Sequence, residues 1–377
     1  MPMAEGKALH VLVVGQTPPP FGGQAVMVQA LLDSTPAEAV YHHVRLTYSD
    51  DMDSVGKFAL KKVLVLFTTI VEVWIARFRL GTPMLYYPPS GPNMVPVLRD
   101  IIFLCAVRPF FRWTVFHYHA GGVSGFAKEL PALFRPFFRL AYRNATMAIR
   151  TAPQNPEDGK LLGAKMDIVV PNGIPDMRGT VVEKTAAPGE PLTILFTGVL
   201  IPSKGVRVLL EAFRQVVVAG GDVQLQLMGR WGDPVFQAEC EGFLRMHGLQ
   251  EKVEFLGVKR DEEKLEYFAA CDIFCFPSHF EAESFGLVLI EAMQFAKPVV
   301  STNWRGIPSV AQDGVNGFTV PVEDPAAVAD RLLRLINDPE LRVRMGNEGR
   351  RIFAERFTLE RFQRSMEDAF IAASSKH

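Results

Sequence analysis

The chain has 377 residues, 48% of them hydrophobic, with 40 Lys and Arg against 41 Asp and Glu and a formal net charge of −1. At roughly 150 residues per domain this predicts two or three domains, with cores large enough to need no disulfide or metal staple. Charged residues at 21% exclude a largely disordered chain, and near-neutrality argues against chain-wide polyanion binding.

Taken in order, the first element is the apolar run Leu9–Val14, closed by Gly15, which reads as a buried parallel strand. The residues before it (MPMAEGK) lack a basic n-region and cleavage site, so a cytoplasmic protein is expected. A loop over 16–23 leads to a helix predicted at Gln24–Leu32. The run Val63–Val71, bounded by Lys61, Lys62 and Glu72, falls far short of the ~18 apolar residues of a membrane span. The proline-rich stretch 80–98 reads as turns and strand ends around a strand at Met84–Tyr87. A strand at Thr114–His117 and a helix over 127–143 follow. Residues 178–191 (RGTVVEKTAAPGEP) have the composition of a linker. Beyond it come strands at 194–198, 225–229, 253–257, Ile273–Pro277 and Pro298–Thr302, with helices at Val206–Val217, Glu262–Ala270 and Phe285–Phe295. The alternation predicts two α/β domains with parallel sheets, 1–177 and 192–357, facing across a cleft.

Four cysteines are scattered as in a reducing compartment. Cys271, Cys275 and His279 are spaced by four, but on a strand and loop rather than a helix, so buried structural cysteines are expected in place of a metal site. His117 and His119 share a strand face without an evident third ligand.

The most informative stretch is PSHFEAESFGLVLIEAMQFAKPVV, residues 277–300. With Ser284 as N-cap of a helix over Phe285–Phe295, Glu283 sits just outside the helix and Glu291 nearly two turns in. The helix start favours an anion such as phosphate, and each carboxylate can accept paired hydrogen bonds from sugar or ribose hydroxyls. Two glutamates alone would read as a solvated helix face. This stretch, however, resembles the E-x7-E motif of retaining glycosyltransferase family 4. The likeness extends to TGVLIPSKGVRVLLEAF (197–213), LQLMGRW (225–231), VEFLGVKR (253–260), CDIFCFPS (271–278), GIPSVAQDGVNGFTVPVED (306–324) and VPNGI (170–174).

The resemblance implies a GT-B fold of two Rossmann-like domains: an acceptor-binding domain at 1–177, a linker at 178–191, a nucleotide-sugar domain at 192–357 and a final helix (358–377, helical from Thr358 to Ala373) crossing back to the first domain. It implies that Glu291 binds the donor ribose and that Glu283 lies beside the transferred sugar. The backbone of Ser284, Phe285, Gly286 and Leu287 would contact diphosphate and sugar, and Lys204 would neutralise the diphosphate. His119, before Ala120-Gly121, matches the family histidine that approaches the sugar. Gly22 and Gly23, in GQTPPPFGGQA (15–25), match the loop facing the donor diphosphate; the pair is expected to adopt positive φ and admit a close ligand. That loop lacks G-x-G-x-x-G, which argues against nicotinamide binding. The chemistry implied is metal-independent, with no cofactor. Two departures stand out: Val199 occupies the usual arginine position, leaving Arg207, Arg230 or Arg305 as substitutes, and Ser309 replaces a frequent glutamate.

Residues 57–150 hold 13 Lys and Arg against three acids, a net +10, interleaved with aromatics. KFALKKVLVLFTTIVEVWIARFRL (57–80) and LFRPFFRLAYR (133–143) resemble interfacial helices. Core helices with a solvated basic edge would explain these segments equally well. The family resemblance implies a transferase moving a sugar from a UDP- or GDP-sugar to a glycan or lipid-linked acceptor, and so favours a protein peripheral on the anionic inner face of the cell membrane. No motif supports a nucleic-acid partner. The alternatives are a nucleotide-sugar-binding protein without transferase activity and a GT-B nucleotide-sugar 2-epimerase.

Overall fold

The computed structural model describes residues 8–46, 60–182 and 189–375, with the side chains of 60–63 excepted. Residues 1–7, Lys57, Phe58, the side chains of Lys61 and Lys62, and linker positions 183–188 lie outside the described residues. The chain divides into two compact units, Met1–Gly173 with Leu359–His377, and Ile174–Thr358. The division precedes the stretch read as a linker, because residues 174–177 are already tied into the second unit. There the Met177 amide donates to Gln294 Oε1 at 2.9 Å, and Asp176 pairs with Arg350 at 2.6 Å.

In the first unit, strands β1 (Leu9–Gly15), β2 (Ala39–Arg45), β3 (Met84–Tyr87), β4 (Trp113–Tyr118), β5 (Met147–Arg150) and β6 (Asp167–Val169) form one sheet in the order 2-1-3-4-5-6. Every pairing is parallel, with Val11–Val13 opposite Met84–Tyr86 at the centre. The helices are α1 (Gly23–Leu32), α2 (Leu60–Arg79), α3 (Met94–Val107), α4 (Val123–Phe126), α5 (Arg135–Tyr142) and α6 (Asp158–Leu161). Helix α3 was hidden by its proline: Pro96 stands in the first turn, where a missing N–H leaves no intrahelical bond unmade. The helix read over 127–143 is α5 alone, preceded by a 3₁₀ turn at Ala132–Phe134, with Pro136 near its start.

In the second unit, β7 (Leu192–Thr197) leads through α7 (Val206–Val218) to β8 (Val223–Met228), and through α8 (Pro234–His247) to β9 (Val253–Gly257). The chain then returns by α9 (Asp261–Ala270) to β10 (Ile273–Phe276), beside β7. Helix α10 (Leu287–Met293), β11 (Val299–Thr302), β12 (Gly317–Val320), α11 (Pro325–Asn337) and α12 (Pro339–Arg356) complete it. The sheet order is β12-β11-β10-β7-β8-β9, all parallel. This is the Rossmann order, and it reverses between β7 and β10. Right-handed crossovers leave those two strands towards opposite faces, so the loops after them part and open a crevice at their carboxyl ends.

The last helix, α13 (Leu359–Ser375), belongs to the first unit. It buries Phe362, Met366, Ala369, Phe370 and Ala373, sets Phe370 edge-on to Tyr86 at 5.7 Å, and donates from Gln363 Nε2 to the Ala30 carbonyl at 2.7 Å. Beneath it, His117 and His119 are buried with ring centroids 4.0 Å apart. Burial pushes the His119 pKa down to about 3, and burial together with His119 holds His117 well below its usual range.

In the second unit Gly205, at φ +78°, lies so close to the chain after β10 that an added Cβ would stand 2.0 Å from the Pro277 carbonyl oxygen. Gly220, at φ +88°, has no atom within 4 Å of such a position. Gly220→Ala is therefore expected to cost about 1 kcal/mol for its backbone alone, and Gly205→Ala several kcal/mol, measured by denaturant unfolding; equal losses would show that the close approach is not felt. The buried histidines set the acid side of the stability profile. The unfolded chain binds their protons below pH ~6.5 while the folded one does not, so stability falls as pH drops from there towards the folded values, by up to about 1.4 kcal/mol per pH unit for each. Unfolding free energies at pH 7, 6 and 5 should show a shallower slope for His119→Gln than for the parent chain.

Candidate functional site

The crevice of the second unit is walled by residues 198–205, after β7, and 277–286, after β10. The two loops are joined where the His279 amide donates to the Ser203 carbonyl at 2.8 Å and Gly205 packs on Pro277. From β11 and the turn beyond it, Thr302 Oγ1 donates to the Ser278 carbonyl at 2.5 Å and Trp304 Nε1 to the Phe280 carbonyl at 2.8 Å. This bracing brings Lys204 and Glu283, 79 residues apart in sequence, into an ion pair with Nζ 2.5 Å from Oε2. Both side chains are largely buried, at 17% and 11% exposure, and Ser278 Oγ donates to the same carboxylate oxygen at 3.3 Å. The ammonium also lies 4.5 Å from the Phe280 ring centroid and 5.3 Å from that of Phe276, a favourable cation–π setting.

Helix α10 begins two residues later than predicted and ends two earlier, at Leu287 and Met293. Its N-cap is Gly286, in the left-handed conformation at φ +79° and with no side-chain cap, rather than Ser284. The turn at Gly286 leaves Ser284 outside the helix, while Phe285 is buried edge-on to Phe357 at 5.6 Å and anchors the segment. Glu291 is in the second turn of α10. Its Oε1 accepts from Lys264 Nζ of α9 at 2.6 Å, and its Oε2 is buried with no hydrogen-bond partner among the described residues. Lys264 carried no sequence signal beyond a charge on a predicted helix.

Of the arginines considered as substitutes at Val199, Arg207 lies 3.9 Å above the Phe243 ring of α8, and Arg305 lies over Trp304, the side chain that holds the Phe280 carbonyl. Cys271 and Cys275 are buried; burial pushes the first thiol up to about 12 and the second higher still. No group of three metal-ligating side chains occurs among the described residues.

In the first unit, Gly22 and Gly23 do not adopt positive φ. Gly22 is the extended N-cap of α1 at φ −101°, and open space surrounds the position of an added Cβ. The loop before them is held instead by Arg45 of β2, which donates to the carbonyls of Thr17 at 3.1 Å and Pro19 at 2.9 Å. His119 lies just past β4, its Nε2 buried without a partner among the described residues. His117, inside the strand, is joined through Nδ1 to the Tyr86 hydroxyl at 2.9 Å. Two buried aspartates, unmarked in the sequence, organise the neighbouring loops. Asp158 accepts from the amides of Gly122 and Ser124 at 2.6 and 2.8 Å. Asp100 accepts from the Ser90 amide and hydroxyl and from the hydroxyls of Tyr87 and Tyr142.

Residues 178–352 match the family Glycosyl transferases group 1. A phosphatidyl-myo-inositol mannosyltransferase of Mycobacterium leprae is 35% identical over 179 residues, 47% of this chain and 46% of that protein. The O-antigen chain mannosyltransferase C of Escherichia coli is 29% identical over 285 residues, 72% of this chain and 71% of its own. The chain thus spans about half the length of the mycobacterial relative it matches. Among solved structures, Anabaena HepE in complex with UDP-glucose has a TM-score of 0.71 at 19% identity, over 96% of this chain and 99% of that one. Sucrose-phosphate synthase from Thermosynechococcus elongatus has a TM-score of 0.69 at 21% identity, over 97% and 98% of the two chains. Residues 178–352 are therefore similar to the group 1 glycosyl transferases, within a chain that has the GT-B fold of two Rossmann-like units.

Proposed function

We propose that the protein is a retaining glycosyltransferase that moves a sugar from a UDP- or GDP-sugar to a hydroxyl of a glycan or lipid-linked acceptor, in cell-surface polysaccharide or glycolipid synthesis. The observation that carries this reading is the Lys204–Glu283 pair beyond the carboxyl ends of β7 and β10, where open parallel sheets take their ligands. Likeness to HepE, solved with UDP and with UDP-glucose, and to named mannosyltransferases supports a nucleotide-linked hexose as donor.

In this reading Lys204 turns from Glu283 to the leaving diphosphate, a compact charge on a mobile stem suited to phosphate. Glu283 is then free to accept hydrogen bonds from the sugar, and Glu291 accepts from the ribose. Backbone amides of Ser284, Phe285, Gly286 and Leu287 face the diphosphate. The bond from the anomeric carbon to the diphosphate oxygen breaks, and the acceptor oxygen bonds to that carbon on the same face. The acceptor proton passes to a donor phosphate oxygen. Stabilising the departing charge is the dominant contribution of the protein. In the first unit the reading assigns a sugar hydroxyl to His119, whose depressed pKa keeps it neutral at physiological pH, and a place along the donor loop to Gly22 and Gly23.

A membrane partner is part of the same proposal. On α2, Leu64, Phe67, Val71, Ile75 and Phe78 are all exposed at three- and four-residue spacing, opposite the buried Leu66, Ile70 and Val73. Ile102 of α3, the helix packed on α2, and Phe137 and Leu140 of α5, packed on α3, are exposed as well. Arg77, Arg79, Arg135, Arg139 and Arg143 supply the positive charge that an anionic leaflet attracts, at about 1 kcal/mol each near the surface. No helix among the described residues is long and apolar enough to cross a membrane, so the surface proposed is one that lies on it.

A thermal-shift panel of UDP- and GDP-sugars tests the donor: one nucleotide should stabilise the protein by about 2.7 kcal/mol at a hundredfold excess over Kd. Glu291→Ala should weaken that binding about tenfold or more, and Lys204→Met should slow transfer at least about a hundredfold; an unchanged affinity in Glu291→Ala would remove the site. With an acceptor extract, a glycosylated product supports transfer, while binding alone or an epimerised donor supports the alternatives. Sedimentation with phosphatidylglycerol vesicles should retain the protein, and Phe67→Asp with Phe78→Asp should release it. Failure of the parent chain to bind, or its dimerisation through this face, overturns the membrane assignment.

A further inference from the structure

Glu291 is held in a particular way. Lys264, projecting from α9, binds Oε1 at 2.6 Å, while Oε2 is shielded from solvent and unbonded among the described residues. The lysine stem runs beside Phe268, one turn further along α9, with Nζ 5.6 Å from the ring centroid; Phe268 is fully buried. Lysine and glutamate side chains are 25% and 19% exposed, so neither resembles the freely rotating partners of a surface ion pair. A carboxylate oxygen buried without a donor is costly, and the cost is removed by a ligand that supplies one.

We propose that Lys264 is a positioning residue for donor binding: it fixes Glu291 through one oxygen so that the other receives a hydroxyl of the donor ribose. The proposal rests on the reading of Glu291 as the ribose acceptor and adds to it a residue that need not touch the ligand. Its signature is selectivity for the hydroxyl, acting only through Glu291.

The test uses the full chain, with UDP, GDP and their 2′-deoxy analogues as probes in calorimetric titrations. For the nucleotide that binds, Lys264→Met should weaken the ribonucleotide about tenfold and leave the deoxy analogue nearly unchanged, as a lost hydrogen bond to a charged group predicts. Lys264→Arg, which keeps the donor, should restore most of the affinity. In a Glu291→Gln background, Lys264→Met should have no further effect. Equal losses for ribo and deoxy ligands, or a loss that persists in that background, would mean that Lys264 meets the ligand directly or acts through the fold, and would overturn the proposal. If Glu291→Gln weakens binding and Lys264→Met does not, the positioning role alone fails. If Glu291→Gln leaves binding intact, or the parent chain binds neither nucleotide, the ribose reading fails and takes this proposal with it.

Discussion

The candidate site depends on one steric constraint, the contact of Gly205 with the Pro277 carbonyl. The reversal of strand order between β7 and β10 opens a crevice, but an open crevice alone does not set two loops in register. A residue with a side chain at position 205 could not let them meet at this distance, and the left-handed backbone there turns the chain directly from Lys204 into α7. Once the loops touch, Ser203 and His279 share a hydrogen bond, and Lys204 and Glu283 face each other across it.

Two lysine–carboxylate pairs then occupy neighbouring parts of the unit, Lys204 with Glu283 and Lys264 with Glu291. Buried pairs of this kind contribute little net stability, because desolvating both ions offsets most of their attraction. Their value is geometric. The first pair stores a cation in a low-dielectric, aromatic-lined position beside a carboxylate. The second leaves a carboxylate oxygen unsatisfied in a fixed direction. The two pairs differ in what they keep ready, a positive charge in one and an acceptor in the other.

Much of this was legible in the sequence wherever burial forces a simple pattern. Strands enclosed on both faces appear as unbroken apolar runs, and Met84–Tyr87, buried throughout, was read with the bounds the structure has. Elements whose rule has an exception were not. The edge strand β2 (AVYHHVR) carries polar residues because one side of it is unpaired, and α3 holds in its first turn the proline that seemed to forbid a helix. Helix α10 was drawn too long because apolar spacing continues through Phe285 and Phe295, while the helix itself starts only after Gly286 and ends at Met293. The site residues Glu283, Glu291 and Lys204 stood out through the resemblance of their surroundings. Lys264, Asp100 and Asp158 did not, since their roles come from tertiary partners 10 to 42 residues away, and a lone charge on a helix has no local mark of its partner.

The return of α13 to the first unit has a consequence for synthesis. The unit 174–358 is contiguous and can complete its core as soon as it has emerged from the ribosome, whereas the unit begun before it still lacks the helix that carries Phe362, Met366 and Phe370. Until that helix arrives, the apolar side of Tyr86 and the histidine pair behind β4 are without the surface that covers them. The half of the molecule that is made first is thus finished last, and for the whole time the second unit is being translated the nascent chain carries an incompletely covered apolar face that a chaperone could recognise.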